Sequence, residues 1–205
     1  AVLIYDSYAR HIINHCIIKD NDIYMAGLVT EYVSNVIVSN TLFEKNKSYY
    51  AGALVAYDCD SITIVNSLFI DNEGELSGAI ASMSTMSIHN SIFWNNMVNG
   101  SSTTTNADIL VSSNEIPVVE PTVLNTITQV YGVNNNARTA SSLFGVNPLF
   151  TDPANGDYSL QPGSPAINAG DNTYYNAALL GTRDLNGVDR LRDTTIDVGA
   201  FEVQE

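Results

Sequence analysis

Four seven-residue segments of this chain superimpose: His15-Cys-Ile-Ile-Lys-Asp-Asn21, Asn40-Thr-Leu-Phe-Glu-Lys-Asn46, Asn66-Ser-Leu-Phe-Ile-Asp-Asn72 and Asn90-Ser-Ile-Phe-Trp-Asn-Asn96. Their starts lie 25, 26 and 24 residues apart. Units of that size cannot bury an apolar face alone, so they must stack on one another. Upstream of each start, the columns His11/Val36/Ile62/Met86 and Ile13/Val38/Ile64/Ile88 are mainly apolar. Between them, Ile12/Ile37/Thr63/Ser87 turns polar, and this period of two is that of a strand. Downstream, Ile17/Leu42/Leu68/Ile92 and Ile18/Phe43/Phe69/Phe93 are adjacent apolar columns, which predicts a bend between them. The mixed column Lys19/Glu44/Ile70/Trp94 is expected to face outward. Gly27-Leu-Val, Gly52-Ala-Leu-Val and Gly78-Ala-Ile-Ala open the next apolar run each time.

These columns predict an all-β chain, a parallel β-helix of about five coils with an irregular C-terminal cap. Each strand would pair with its copy one coil away at about 4.8 Å. Phe43, Phe69 and Phe93 would stack inside, and Asn21, Asn46, Asn72 and Asn96 would form an amide ladder at a corner. A leucine-rich repeat needs a Leu and Asn spacing that is absent here. A β-sandwich has no cause to repeat one pattern at near-constant spacing. The composition agrees: 23 Asn, about one residue in nine, suit turns and left-handed positions. Residues 1–131 are expected to form the coils, with Asp108–Val111 and the runs Pro117–Val119 and Val123–Tyr131 in an irregular fifth. Residues 132–205 would be a loop and capping segment of the same domain.

A net charge of −14 argues against nucleic acid and anionic membranes, which require a basic face. No apolar run reaches the 18 residues of a membrane-spanning helix, so no membrane insertion is expected. Cys16 and Cys59 lack metal-ligand spacing and read as free thiols.

The tail has another grammar: Asn147-Pro-Leu-Phe150, Asp152-Pro-Ala-Asn-Gly-Asp-Tyr158, Gly163-Ser-Pro-Ala-Ile-Asn-Ala-Gly170, Asp184-Leu-Asn-Gly187, Arg190 and Asp197-Val-Gly-Ala-Phe-Glu202. It resembles the C-terminal part of choice-of-anchor Q domain proteins, a family of bacterial surface and secreted β-helix proteins, and the resemblance implies a right-handed parallel β-helix, a pectate-lyase-like solenoid. It departs from their pattern at Asn147, where Asp is usual, and at Phe201, where Tyr is usual. The Gly-Ala-Ile/Leu and Phe-x-x-Asn markers are also similar to those of polymorphic outer-membrane proteins. The resemblance implies an extracellular or cell-surface location in a bacterium and supplies no catalytic residues. Read from its residues, the tail suits a cap. Pro148, Pro153, Pro162 and Pro165 fit irregular backbone. Phe150, Tyr158, Leu160, Ile167, Val198 and Phe201 would plug the stack, with Arg190 paired to Asp184, Asp197 or Glu202. The apolar start Ala1-Val-Leu-Ile4 aligns with interior columns, which predicts that the N-terminal end continues into further coils.

Chemistry on a β-helix needs residues of successive coils in register. Asp6 and Glu31 align in one column, followed by Tyr57 and Met83, and Asp58 falls in the column beside it. Asp6, Glu31 and Asp58 are therefore the candidate catalytic acids of a glycosidase or lyase, or ligands of a calcium ion; otherwise no cofactor or metal is indicated. The expectation for these acids is nevertheless a solvated face, with neither a groove nor a protonated carboxyl beside them. Arg10 is the nearest candidate base. His11, His15 and His89 read as structural, and Asp184–Asp189 as an Asx-rich turn. Tyr24, Tyr32, Tyr49, Tyr50 and Tyr57 are candidates for stacking on sugar rings, or on each other. Three functional classes follow. One is a non-catalytic surface or secreted stalk or adhesin whose partner is a polysaccharide or another cell-surface protein. The second is a polysaccharide lyase or glycoside hydrolase working on the lateral face. The third is a carbohydrate-binding module using the tyrosines.

Overall fold

The computed structural model describes residues 1–111, 121–130, 141–191 and 194–203. Each coil repeats one plan. The first coil comprises β1 (Val2–Asn14), β2 (Ile17–Lys19) and β3 (Asp22–Ile23). The second comprises β4 (Leu28–Ser39), β5 (Leu42–Glu44) and β6 (Lys47–Ser48). In the third and fourth the long first strand is divided, giving β7 (Leu54–Tyr57), β8 (Ser61–Val65), β9 (Leu68–Ile70) and β10 (Glu73–Gly74), then β11 (Ile80–Ser82), β12 (Met86–His89), β13 (Ile92–Trp94) and β14 (Met97–Val98). A fifth, irregular coil has β15 (Ile109–Val111), β16 (Thr122–Leu124) and β17 (Ile127–Thr128), and β18 (Leu143–Phe144) adds a rung to one sheet. Pro117–Val119 and Tyr131 lie outside the described residues.

Three stacks of parallel strands result. One holds β15-β11-β7-β4-β8-β12-β16 with β1 on β4, the second β14-β10-β6-β3, and the third β18-β17-β13-β9-β5-β2. The corners recur at left-handed residues: His15, Asn40, Asn66 and Asn90 in one column, and Asp20, Lys45, Asp71 and Asn95 in another. Asn and Asp tolerate this region better than other side-chain-bearing residues, which explains their frequency. The glycine column is a close approach: a Cβ on Gly52 would lie 2.5 Å from the Asn46 carbonyl oxygen.

Inside, Phe43, Phe69 and Phe93 stack face to face, with centroids 4.8 and 4.4 Å apart. They lie among Leu28, Leu54, Ile62, Ile64, Ile80 and Ile88. The amide ladder runs in one direction. Asn21 Nδ2 donates to Asn46 Oδ1 at 2.7 Å, Asn46 to Asn72 at 2.9 Å, and Asn72 to Asn96 at 3.1 Å. The same Oδ1 atoms accept the backbone N–H of the preceding coil's Asn. Asn96 donates in turn to Asp108 Oδ1 at 3.0 Å. Asp108 also accepts the Gln129 and Val130 N–H groups, and burial pushes its carboxyl up to about 6. A hydroxyl ladder accompanies the amides: the Thr41, Ser67, Ser91 and Thr126 N–H groups each meet the hydroxyl of the next coil's residue.

Three expectations take another form. No bend separates the two apolar columns, since Ile17–Lys19 and its copies are single strands. The Phe column points inward, while Leu42, Leu68 and Ile92 point outward and are covered by the tail, so these strands are buried on both faces. The tail is irregular, and it lies along the side of the stack rather than across its end. Its hairpin, β19 (Phe150–Asp152) and β20 (Asp157–Leu160), is the antiparallel pair of the fold's named strands. Phe150, Tyr158, Leu160, Ala166 and Val198 pack on Leu42, Leu68, Ile70, Ile92 and Ile127, and the Tyr158 hydroxyl donates to buried Glu44 at 2.8 Å.

The second Asn column binds this tail. Asn40 Oδ1 accepts from Arg190 Nη2 at 2.8 Å and Nε at 3.1 Å, and Asn66 and Asn90 donate to tail carbonyls. Arg190 is fully buried, donates to Glu202 at 3.2 Å and to the Gly199 carbonyl at 2.8 Å. Asp184 and Asp197 are buried nearby, and each accepts backbone N–H groups. Burial, then the Asp197 charge, pushes Glu202 up to about 7.

Candidate functional site

The predicted acid column is off by one residue. Tyr5 pairs with Glu31 and Glu31 with Tyr57, so the observed column is Tyr5, Glu31, Tyr57 and then Met83. Asp6 falls instead beside Tyr32, in the column that continues to Asp58. The cause is one extra residue in β1: a register shift lies between Ser7 and Arg10, so alignment from the downstream repeat misplaces everything before it. Asp6, Tyr32 and Asp58 each take a left-handed conformation, with φ of 48°, 53° and 47°, at the corner that follows the first short run. Asp6 and Asp58 are thus two rungs apart, about 9.6 Å along the stack, with Tyr32 between them. Among the described residues, no group of three or more His, Cys, Asp and Glu gathers as a metal-binding set. The histidines face structure: His15 meets the Arg183 carbonyl at 2.8 Å, and His89 stacks on Tyr174.

A groove does lie beside one of the acids, Glu31, contrary to expectation. It has a volume of about 390 Å³ and runs over the outer face of β7, β11 and β15. Val55, Ala81 and Leu110, paired in one row across these strands, line it together with Tyr50, Tyr57 and Glu31. The lining follows from strand alternation. Leu54, Ala56, Ile80 and Ser82 point into the core, so Val55, Tyr57, Ala81 and Met83 must point out. The loops before the glycines then fold Met25, Tyr50 and Leu76 back over that face.

The tyrosines form two clusters. Tyr24 and Tyr49 stack in parallel with centroids 5.5 Å apart, and Tyr50 meets both edge-on. Tyr5, Tyr32 and Tyr57 make a staircase of edge contacts at 5.9 and 6.0 Å. Tyr24, Tyr32 and Tyr49 are exposed. Desolvation, then the neighbouring Tyr57, Asp58 and Glu31, raises the Tyr32 hydroxyl above its ordinary range. A hydrogen bond with Tyr50 is the main cause that raises Tyr24. Of the predicted site residues, Glu31, Tyr50 and Tyr57 line the groove; Asp6, Asp58, Tyr24, Tyr32 and Tyr49 are not in its lining. Sequence reading missed Met25 and Leu76, which read as loop, although the column Met25/Tyr50/Leu76 is visible once the units are aligned.

A model of the family described as right handed beta helix region matches residues 1–116. No curated protein and no solved structure matches the chain.

Proposed function

The chain belongs to the right-handed β-helix family, and on that premise we propose that it is a non-catalytic glycan-binding protein, secreted or displayed on a bacterial surface. The observation that carries the reading is a groove lined by the apolar row Val55, Ala81 and Leu110 and by Tyr50 and Tyr57. Sugar rings present flat C–H faces to aromatic rings, and hydroxyl edges to the tyrosine hydroxyls and to Glu31. The groove crosses three coils, which suits a chain rather than a single ring. Hydrolysis of a glycosidic bond canonically uses two carboxyls at the scissile bond. Glu31 is the carboxylate among the groove's described lining residues, which supports binding over hydrolysis. The surface location rests on the resemblance of the tail to choice-of-anchor Q domain proteins.

The second reading, a lyase or glycoside hydrolase, is favoured by the same Glu31, a carboxylate that lines the groove beside Tyr57. Affinity electrophoresis in gels containing soluble neutral and acidic polysaccharides separates the two. Retardation by at least one polymer is expected, weakened tenfold or more in Tyr50→Ala/Tyr57→Ala, with no reducing ends released. Release of oligosaccharides that disappears in Glu31→Gln with unchanged circular dichroism would establish the enzyme instead. No retardation by any polymer would remove the glycan assignment.

A further inference from the structure

The outward column Lys19, Glu44, Ile70 and Trp94 runs along the strands that the tail covers. Glu44 and Ile70 are buried by that cover, but Trp94 is half-exposed. A cavity of about 410 Å³ opens beside it, between β9 and β13 on one side and the β19–β20 hairpin on the other. We propose that this cavity is a second binding site, for one neutral pyranose ring. The indole of Trp94 would be its platform, and Asp71, Asn147 and Gln161 would hold its hydroxyls.

The lining has the two components such a ligand needs. The Trp94 indole, with Leu149 and Phe150, offers apolar surface for a ring face. Asp71, Asn147 and Gln161 supply polar groups of complementary kinds. Asp71 is set at a left-handed corner with φ 54°, and Asn95 Nδ2 donates to its Oδ1. Its second oxygen can accept from a hydroxyl. Asn147 commits its Oδ1 to the Leu149 N–H at 2.9 Å, which leaves its Nδ2 as a donor. Gln161 commits its Nε2 to the Phe150 carbonyl at 2.8 Å, which leaves its Oε1 as an acceptor. A vicinal pair of sugar hydroxyls, each both donor and acceptor, matches such a set.

The backbone is built to hold these groups. Leu149 takes a left-handed φ of 54°, a region that a branched side chain enters at a cost. It is kept there from both sides, by the Asn147 side chain on its N–H and by the Gln161 N–H, which donates to its carbonyl at 2.9 Å. The same two residues thus fix the loop and face the cavity. The volume lies within the ~300–1,000 Å³ of small-molecule pockets. Charge selects among sugars: the cavity presents the Asp71 carboxylate on a chain of net charge −14. An acidic sugar would meet repulsion there, and a neutral one would not. The site is on a different sheet from the tyrosine groove and shares no lining residue with it. It therefore stands or falls separately.

Trp94 is the single tryptophan of the chain, so its emission reports on this cavity alone. The test is a fluorescence titration of the whole protein with glucose, galactose, mannose and N-acetylglucosamine, with glucuronate as the acidic comparison. A saturable change in intensity or wavelength is expected with at least one neutral sugar in the millimolar range. It should weaken at least tenfold in Asp71→Ala and in Gln161→Ala, and persist in Tyr50→Ala/Tyr57→Ala. Two variants are used so that a folding defect in one, seen by circular dichroism, leaves the other decisive. Absence of a saturable response to all four neutral sugars at tens of millimolar would overturn the site. So would a response that survives both variants with the fold intact, or one confined to glucuronate.

Discussion

Asn40 and Asn46 belong to one coil and serve opposite sides of it. Asn46 faces its copies along the stack, and Asn40 faces outward to Arg190 and the Tyr175 hydroxyl. From the second coil onward, type and period are the same in both columns, so alignment alone could not separate an inner ladder from an outer docking row. Asp108 was legible in principle, because it stands where Ala53 and Ala79 stand in earlier coils. What alignment could not reveal is that its carboxylate turns in to meet Asn96. The ladder predicts a cost for Asn72→Ala. That change strips the acceptor from the Asn46 amide groups and leaves the Phe43 carbonyl without its donor. Each orphaned buried group costs about 1–3 kcal/mol, so a loss of about 3 kcal/mol or more is expected in urea denaturation. A loss below about 1 kcal/mol would make the ladder a passenger. Phe69→Ala opens a gap between two stacked rings, and about 3–5 kcal/mol is expected by the same measurement.

At the level of elements, the coils were readable because each column repeats a physical demand: apolar inside, small at the close approach, Asn or Asp at left-handed corners. The third sheet misled for a definite reason. Two adjacent apolar columns arise from a bend or from a strand buried on both faces, and the residues that bury the second face lie more than fifty positions downstream, in Phe150, Tyr158 and Leu160. The candidate site suffered from the reverse problem. One residue added in β1 moved Asp6 out of the Glu31 column, and the loops that wall the groove carry no period-2 signal. The covered strand makes its own prediction. Leu68 points away from the solenoid interior, yet Leu68→Ala should cost about 2–5 kcal/mol, the price of a core truncation. A chemical-denaturation loss under 1 kcal/mol would mean that the tail does not hold this face.

On the scale of the whole molecule, buried acids tie stability to pH. Glu202, pushed up to about 7, and Asp108, at about 6, bind protons more tightly folded than unfolded, where Glu and Asp titrate near 4.3 and 3.9. Their contribution is fully present below about pH 4 and is lost as pH rises through 6 and 7. His89, whose pKa is lowered first by burial, acts in the opposite sense below about 6.5. The expectation is therefore placed on a difference: melting temperature should fall between pH 5 and pH 8, and Glu202→Gln should flatten that fall. An unchanged slope in the variant would show that Glu202 is already ionised in the native state at pH 5. The other buried acid has a consequence for length. Every Asn of the ladder both gives and takes a hydrogen bond, so the series could go on indefinitely. An ionised aspartate only takes. With Asp108 the series reaches a full stop, and the number of amide rungs on that side is written into the chain by one oxygen standing where a nitrogen would have invited another.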